Sequence, residues 1–259
     1  MGNINSLKGI LLFSLRNGYR EVHFENGKLP LIVSEQGERT HLQGVSPTNK
    51  ETIYAIKKDY LSGDDRLILS VSGQEFLVSD LGEELVFRHL PYVDQPLDID
   101  NELASACYSK RGIILVVSNQ QEKRSLESYR TASYIASNKK ITLCIIENSK
   151  FYSLRSTGSK IINIYKPGLS LDAMLRITEG LLCDCVMVPN CNNIAAVEAI
   201  NMSGYDKLII VGTATDIVPH FNKENIIYTL DVNRRDSLYT RGRPEVKLNT
   251  SVILENLRG

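Results

Sequence analysis

The first third of the chain alternates between helical and strand-like patterns in the manner of an α+β domain. Apolar residues recur at helical spacing over residues 4–16, and a second helix is predicted from Ser46, its N-cap, to Gly63. Between and after these helices, short stretches bounded by turn residues predict strands, and Asn26-Gly27 is typical of a hairpin turn. The predicted strands cover residues 22–24, 29–33, 67–71, 75–78 and 84–87.

The remainder of the chain carries continuous apolar runs that alternate with helical segments. Runs of this kind are typical of strands buried on both faces of a parallel sheet, and the alternation predicts helices on those faces. The predicted strands cover residues 113–117, 141–146, 160–164, 184–188, 208–211 and 226–230, and the predicted helices cover residues 123–138, 170–182 and 193–202.

A segment without periodicity separates the two parts. From Pro91 to Asp100 the chain is rich in Pro and Asp, which is typical of a linker. We therefore predict an α+β domain over residues 1–92, a linker over 93–100 and an α/β domain over 101–259.

Composition and charge disfavour several classes of function. The chain has 259 residues and a formal net charge of zero, so charge alone does not indicate binding to nucleic acid or to anionic lipid. The apolar run at residues 113–117 is far shorter than the roughly 20 residues that span a bilayer. The N-terminus also lacks the regions of a signal peptide. We therefore expect a cytoplasmic protein that reaches a membrane only through partners.

The five cysteines are predicted to be free thiols rather than metal ligands or disulfides. Cys183 and Cys185 have C-x-C spacing, and no histidine lies near them or near Cys191, so a zinc site is not indicated. Cys144, Cys183 and Cys185 lie in apolar, strand-like surroundings, where a free cysteine packs as a small hydrophobic residue. A cytoplasmic location disfavours disulfides.

The most informative polar segment follows the first strand of the predicted parallel sheet, where ligands bind in open α/β folds. A phosphate-binding loop at this place needs glycines whose backbone N–H groups wrap the phosphates, and then Lys and Ser/Thr. Residues 118–125 read SNQQEKRS, which has the length of such a loop but contains no glycine. From the residues alone, Lys123 and Arg124 are interpreted as a solvated helix N-terminus. Glu147, after the second strand, is either a remnant acid or a strand end in contact with water.

Several segments, in the same order along the chain, resemble the motor ATPase family of type II/type IV secretion and type IV pili. The matching segments are EVHF at 21–24, FRHLP at 87–91, RGIILVVS at 111–118, GTATD at 212–216 and GRPEVKLNT at 242–250. The resemblance implies an α/β chain in which an N-terminal α+β, PAS-like domain precedes a RecA-like P-loop NTPase domain with a mostly parallel sheet. Its C-terminal subdomain is expected to be shortened.

The same resemblance implies that the phosphate-binding loop has degenerated. The glycines of the family's loop fall at Ser118, Gln121 and Lys123 of this chain, and side chains restricted to negative φ cannot follow the same loop path. Arg124 stands at the position of the catalytic lysine, and only Ser125 matches the family's loop.

The acidic residues of the family are also largely replaced. The acidic box keeps Glu147 but loses its second acid, and Asn190 stands where the family's Walker B strand ends in glutamate. Asparagine can hydrogen-bond a water molecule, but it cannot carry the negative charge needed near magnesium. Ala214-Thr215 replaces the leucine and histidine of the family's histidine box.

The resemblance and these losses together predict a pseudo-ATPase with no catalytic residues and no metal site. It would need no cofactor, although residual binding of ATP with magnesium stays open. The expected partners are a paralogous secretion or pilus ATPase, an inner-membrane platform protein, or further copies of this chain. One alternative is a divergent, active motor ATPase that uses Glu147, Asp184 or Asp216 as its acid. Another is a two-domain α/β ligand-binding protein whose resemblance is accidental.

Overall fold

The structure, a computed structural model, consists of two compact units, Met1–Pro91 and Tyr92–Gly259. It describes residues 6–58, 66–93, 99–147, 150–155, 158–165, 168–203 and 206–232. The predicted features that lie outside these residues are the helix start at residue 4, the helix end at Gly63, most of the linker, the lost second acid of the acidic box and the closing segment at 242–250. Among the described residues, no helix is long and apolar enough to cross a membrane.

The first unit is an antiparallel sheet with two helices. Its elements are α1 (Leu7–Arg16), β1 (Tyr19–Glu25), β2 (Leu31–Ser34), β3 (Arg39–His41), α2 (Lys50–Ile56), β4 (Arg66–Val71), β5 (Gln74–Asp80) and β6 (Glu84–Leu90). The strand order is β3-β2-β1-β6-β5-β4. Leu11 of α1 and Ile53 of α2 belong to the same buried cluster as Val22, Phe24 and Phe87 of the sheet. The amphipathic helices therefore cover the apolar face of the strands.

Helix α2 begins later than its sequence predicts. It starts at Lys50, and its N-cap is Asn49, whose side-chain oxygen accepts a hydrogen bond of 2.8 Å from the Thr52 N–H. The backbone of Thr48 instead bonds to Lys28 O at 2.8 Å and to the Gly27 N–H at 2.7 Å. The prediction of Ser46 as the N-cap is therefore wrong, because the preceding segment pairs with the hairpin turn.

The second unit is a parallel sheet with helices on both faces. Its elements are α3 (Asn101–Tyr108), β7 (Gly112–Val117), α4 (Gln121–Asn138), β8 (Thr142–Glu147), β9 (Lys160–Tyr165), α5 (Leu171–Gly180), β10 (Cys185–Cys191), α6 (Ile194–Ser203), β11 (Leu208–Thr213) and β12 (Ile226–Asp231). The strand order is β12-β7-β11-β10-β8-β9, and every pair is parallel. The predicted α/β fold class, with its mostly parallel sheet, is confirmed. Helix α3 was not predicted from the sequence.

Strand β7 shows why this sheet is stable. All six of its residues are buried. Ile114 and Val116 belong to the cluster on the face of α3 and α4, whereas Ile113 and Leu115 belong to the cluster on the face of α5 and α6. Each fully buried aliphatic side chain contributes about 1.5–3 kcal/mol relative to an exposed one. The continuous apolar run therefore serves two cores at once.

The cysteines differ from the prediction at one pair. Cys144 and Cys183 form a disulfide with a Cα–Cα distance of 6.1 Å, within the usual range for such bonds. Cys107, Cys185 and Cys191 are free and buried, as predicted. The sequence separation of 39 residues does not reveal the pairing, which arises because β8 lies next to β10 in the sheet.

A histidine between two carboxylates lies on β1 of the first unit. His23 Nδ1 is 2.6 Å from Glu84 Oε1, and His23 Nε2 is 3.4 Å from Glu21 Oε2. The hydrogen bond to Glu21 and the contact with Glu84 raise the pKa of His23 above its usual value of 6.5, although burial opposes this shift. The hydrogen bond to His23 in turn lowers the pKa of Glu21.

Replacing His23 should destabilise the first unit in a pH-dependent manner. A group whose folded pKa is raised contributes stability that is complete below its unfolded pKa and is lost as the pH rises through the folded value. We expect His23→Gln to lower the free energy of unfolding by up to about 1 kcal/mol near pH 5.5 and by less near pH 9. Urea unfolding at both pH values measures the difference. His41→Gln is the control, since the His41 ring contacts the backbone carbonyl of Leu29. The same pH trend in both variants would contradict the assignment.

Candidate functional site

The candidate site lies at the carboxyl ends of three neighbouring strands, β7, β11 and β10. The Ser118 N–H, just after β7, donates to Thr213 O at 3.1 Å, and Thr213 Oγ1 at the end of β11 donates to Cys191 O at 2.8 Å. The N-terminus of α4 follows β7 at this edge, where open α/β folds bind ligands.

The connection from β7 to α4 is much shorter than a phosphate-binding loop. Strand β7 ends at Val117 and α4 begins at Gln121, so only residues 118–120 lie between them. Ser118 Oγ accepts from the Gln120 N–H at 3.1 Å and tightens this turn. Gln121 and Lys123, at two of the expected glycine positions, lie in the first helical turn, and Lys123 is exposed. The helix extends two residues further back than predicted, because Gln, Glu and Lys are good helix formers and no glycine interrupts them.

The guanidinium of Arg124 is buried within this edge and makes hydrogen bonds from all three of its nitrogens. Arg124 is only 3% exposed to solvent. Nε and Nη2 donate to Asn190 Oδ1 at 3.0 and 2.5 Å, and Nη2 also donates to Asn192 Oδ1 at 2.9 Å. Nη1 donates to Ser118 O at 3.0 Å. The interpretation of Arg124 as part of a solvated helix N-terminus is therefore wrong, although it holds for Lys123.

An irregularity in β10 presents the two asparagines to Arg124. The register between β10 and β11 shifts between Val188 and Cys191, and Pro189, which has no backbone N–H, lies inside the shift. Bulges of this kind redirect side chains near functional sites. Asn192 Nδ2 also donates to Asn190 Oδ1 at 3.2 Å, so the two amides hold each other in place around the guanidinium.

The charge of Arg124 is held mainly by neutral oxygens. Burial lowers the pKa of the guanidinium, and the carboxylate of Asp216, in the loop after β11, opposes that shift. The guanidinium nevertheless carries its positive charge, since arginine is the basic side chain that is not deprotonated in proteins. A buried charge without hydrogen bonds would cost several kcal/mol, so the bonds to Asn190, Asn192 and Ser118 are required to keep this side chain inside.

Gly212 and Ser125 fit around the same bulge. A Cβ atom added at Gly212 would lie 2.2 Å from Pro189 O, so only glycine allows β10 and β11 to approach this closely. Ser125 is also buried, and its Oγ donates to Pro189 O at 3.4 Å. The serine that matches the family's loop is thus directed at the backbone of β10.

Glu147, the retained acid, lies in the protein interior at the end of β8. It is 3% exposed, and its Oε1 accepts a hydrogen bond of 2.7 Å from the hydroxyl of Tyr129 on α4. The interpretation of Glu147 as a strand end in contact with water is therefore wrong. Nothing local in the sequence indicates this bond, because Tyr129 and Glu147 lie 18 residues apart on different elements.

Asp184 and Asp216, the other two candidate acids of an active enzyme, lie at opposite edges of the parallel sheet. Asp184 Oδ2 accepts from the Thr142 N–H at 2.8 Å, at the amino end of β8 and β10. Asp184 is therefore at the opposite edge of the sheet from Arg124 and cannot act there. Asp216 is exposed in the loop after β11. In that loop, the Thr215 N–H donates to Asn119 Oδ1 at 3.2 Å, which ties the turns after β7 and β11 together.

Part of this site is predictable from the sequence. Among the predicted residues, Arg124 bonds to both Ser118 and Asn190, Ser125 bonds to the bulge beside them, and Glu147 bonds to Tyr129 further along α4. Asn192 and Asn119 are not among the predicted residues. The one sequence signal for Asn192 is that asparagine recurs at positions 190 and 192, next to the end of a strand.

Solved structures of motor ATPases share this fold. The pilus retraction motor PilT with bound ADP superposes with a TM-score of 0.64 at 18% identity, covering 84% of this chain and 72% of PilT. The DotB ATPase of Legionella pneumophila gives a TM-score of 0.57 at 12% identity, covering 84% of this chain and 70% of DotB. The DotB ATPase of Yersinia pseudotuberculosis gives 0.55 at 15% identity, covering 86% and 70%.

These structures confirm the fold that the resemblance implied: the chain has the architecture of the pilus and secretion motor ATPases. No protein-family model and no curated protein sequence matches it. At such low identity the likeness concerns the fold, so the chemistry of the site must be argued from the residues of this chain.

Removing the Arg124 guanidinium should destabilise the second unit strongly. Arg124→Met leaves the carbonyl of Ser118 and the amide oxygens of Asn190 and Asn192 without their donor, so we expect a loss of about 2–4 kcal/mol in the free energy of unfolding. Arg124→Lys should lose part of this, because one ammonium group cannot reproduce the planar set of donors.

The matched control is Arg130→Met, on the same helix. Arg130 forms a partly exposed ion pair with Glu127 at 2.5 Å, and such pairs contribute about 1 kcal/mol or less. Urea unfolding followed by circular dichroism compares the two variants. Equal losses would show that Arg124 has no special structural role.

Proposed function

We propose that this chain is a non-catalytic member of the secretion and pilus motor ATPase family, acting as a structural or regulatory component of such a machine. The shared fold supports the family, and the state of the candidate site supports the loss of catalysis. The observation that carries the proposal is the Arg124 guanidinium, hydrogen-bonded to Asn190, Asn192 and Ser118 at the edge where a nucleotide would bind.

A nucleotide phosphate would have to displace this network. A phosphate-binding loop surrounds its ligand with backbone N–H groups, and the turn of three residues before Gln121 has too few to do so. Arg124 would have to give up its hydrogen bonds before it could contact a phosphate. Glu122, in the first turn of α4, adds a negative charge at the helix N-terminus, where a phosphate would otherwise be attracted.

The residues present also do not fit magnesium or an activated water molecule. Asn190 supplies an amide in place of a carboxylate, and that amide accepts from Arg124. Glu147 is bonded to Tyr129. Hard cations such as Mg²⁺ prefer carboxylate oxygens, and phosphoryl transfer depends on the charge that they supply. The site therefore supports no ATP hydrolysis.

Exposed apolar side chains on α5 and α6 support a role in protein binding. These two helices pack on the same face of the parallel sheet. Ile177 and Leu181, one turn apart on α5 and its C-cap, are 41% and 38% exposed, Leu182 is 86% exposed, and Met202 of α6 is 72% exposed. Exposed apolar side chains grouped on neighbouring helices mark interaction surfaces more often than single ones do.

Leu182 is the clearest of these residues because folding does not explain it. It follows the C-cap of α5 with a φ of 48°, in the left-handed region that glycine and asparagine favour at this position. A leucine there costs about 1 kcal/mol, and its side chain gains nothing from burial. An exposed leucine in a strained position is most simply explained by a contact with another protein.

The partner that the proposal names is a paralogous motor ATPase or the inner-membrane platform protein of the same machine. A chain with the motor fold retains the elements by which motor subunits would pack together, and an apolar contact on α5 and α6 suits a lasting assembly. Further copies of this chain could occupy the same positions in a mixed ring.

We expect the purified protein to neither bind nor hydrolyse ATP. Titration with a fluorescent ATP analogue, with and without magnesium, should show no saturation up to about millimolar nucleotide, which corresponds to less than about 4 kcal/mol of binding free energy. Phosphate release should stay at the level of a blank, while an active motor ATPase assayed in parallel gives turnover. Magnesium-dependent turnover that Glu147→Gln abolishes would overturn the proposal in favour of a divergent active ATPase.

Replacing Leu182 by glycine should raise stability and weaken partner binding. Leu182→Gly relieves the positive φ, so we expect the free energy of unfolding to rise by up to about 1 kcal/mol. Capture of the motor ATPase or platform protein from native cells, identified by mass spectrometry, should fall. The matched control is Leu81→Gly, which removes a leucine that is 62% exposed in the first unit. Unchanged capture by the Leu182 variant would remove this surface from the proposal.

A further inference from the structure

A cavity lies at the amino-terminal edge of the parallel sheet, opposite the Arg124 network. Its volume is about 430 Å³. The residues that precede β7, β8, β10 and β11 line it, together with the end of α4. This volume falls within the range of about 300–1,000 Å³ that is usual for small-molecule sites. Ile135, Ile141 and Leu208 give the cavity an apolar wall.

Three lysines line the same cavity: Lys110, Lys139 and Lys207. Within the part of the chain that the structure describes, none of them forms an ion pair with a carboxylate. Asp184 and Asp206 also line the cavity, so three positive charges face two negative ones and leave one positive charge in excess. The Asp184 carboxylate is already bonded to the Thr142 N–H at 2.8 Å.

Lys139 is held in a fixed position at the cavity wall. Its Nζ donates to Cys107 O at 2.7 Å and lies 5.0 Å from the centroid of the Tyr108 ring. The first contact caps the last turn of α3, which is a structural role. It uses one of the three donors of the ammonium group. Burial lowers the pKa of Lys139, so a bound anion would stabilise a charge that water solvates poorly.

The cap of α3 accounts for Lys139 but not for the other two lysines. Lys110 is exposed and Lys207 is partly exposed, and both line the cavity beside Ser109, whose hydroxyl can donate a hydrogen bond. A concave surface with ammonium groups on one side and aliphatic side chains on the other suits a ligand with a charged end and an apolar end.

We propose that this cavity binds a small, soluble organic anion, in which a phosphate or carboxylate group is attached to an apolar part. The anionic group would contact Lys110, Lys139 and Lys207, and the apolar part would contact Ile135, Ile141 and Leu208. This site is independent of the loss of catalysis at the other edge of the sheet.

Isothermal titration of the full chain with phenyl phosphate tests the proposal. We expect one saturable site, with weaker binding of inorganic phosphate, which lacks the apolar part, and no binding of phenol, which lacks the charge. The double variant Lys110→Ala/Lys207→Ala should weaken phenyl phosphate binding by about tenfold or more. The matched control, Lys50→Ala/Lys223→Ala, changes the net charge equally at two exposed lysines outside the cavity and should leave binding unchanged.

Other outcomes of these binding experiments would contradict the proposed anion site or distinguish it from other sites. Two results would overturn the proposal. One is equal weakening of phenyl phosphate binding by both double variants. The other is that neither phenyl phosphate nor its carboxylate counterpart, benzoate, binds saturably. Binding to phosphatidylglycerol vesicles that needs Lys110 and Lys207, without binding of phenyl phosphate, would assign the lysines to a lipid surface instead. Unchanged phenyl phosphate binding by Arg124→Met separates this site from the candidate nucleotide site. Melting curves by circular dichroism confirm that each variant is folded.

Discussion

Burial of the parallel sheet on both faces is the constraint on which the second unit depends. Strand β7 gives alternate side chains to two separate cores, and a polar residue anywhere along it would face apolar surroundings on either side. Polar side chains are therefore excluded from β7, and both polar sites lie at the two edges of the sheet where strands end and turns begin. The Arg124 network occupies one edge and the lysine-lined cavity the other. The Arg124 network and the cavity lie at these edges because helices cover both faces of the sheet.

The features that could be predicted from the sequence are those that depend on patterns along the chain. The apolar runs and helical spacings predicted the strands of the parallel sheet and most of its helices. The helix predicted from residue 170 is α5, and Ser170 is its N-cap. Predictions failed where distant residues compete for the same groups. The backbone of Thr48 pairs with Gly27 and not with a helix. Cys144 meets Cys183 only because β8, which contains Cys144, lies next to β10, which Cys183 closely precedes.

The candidate site divides in the same way. The absence of glycine in residues 118–125 and the amide at Asn190 are local facts, so the sequence predicted a degenerate loop. Whether Arg124 points to solvent or into the protein depends on a bulge at Pro189 and on Asn192, which are distant in the sequence. Arginine is rarely buried unless its donors are satisfied, and the two asparagines that accept from Arg124 are more than 60 residues away in the sequence.

The Arg124 network stabilises the fold in a way that differs from stabilisation by a bound ligand. A bound nucleotide stabilises a fold in proportion to the logarithm of its free concentration, so the stability of such a protein changes with the energy state of the cell. Arg124 is covalently part of the chain, and its contribution to the fold does not depend on any concentration. The hydrogen bonds that hold β7, α4 and β10 together therefore stay the same in growing and in starved cells.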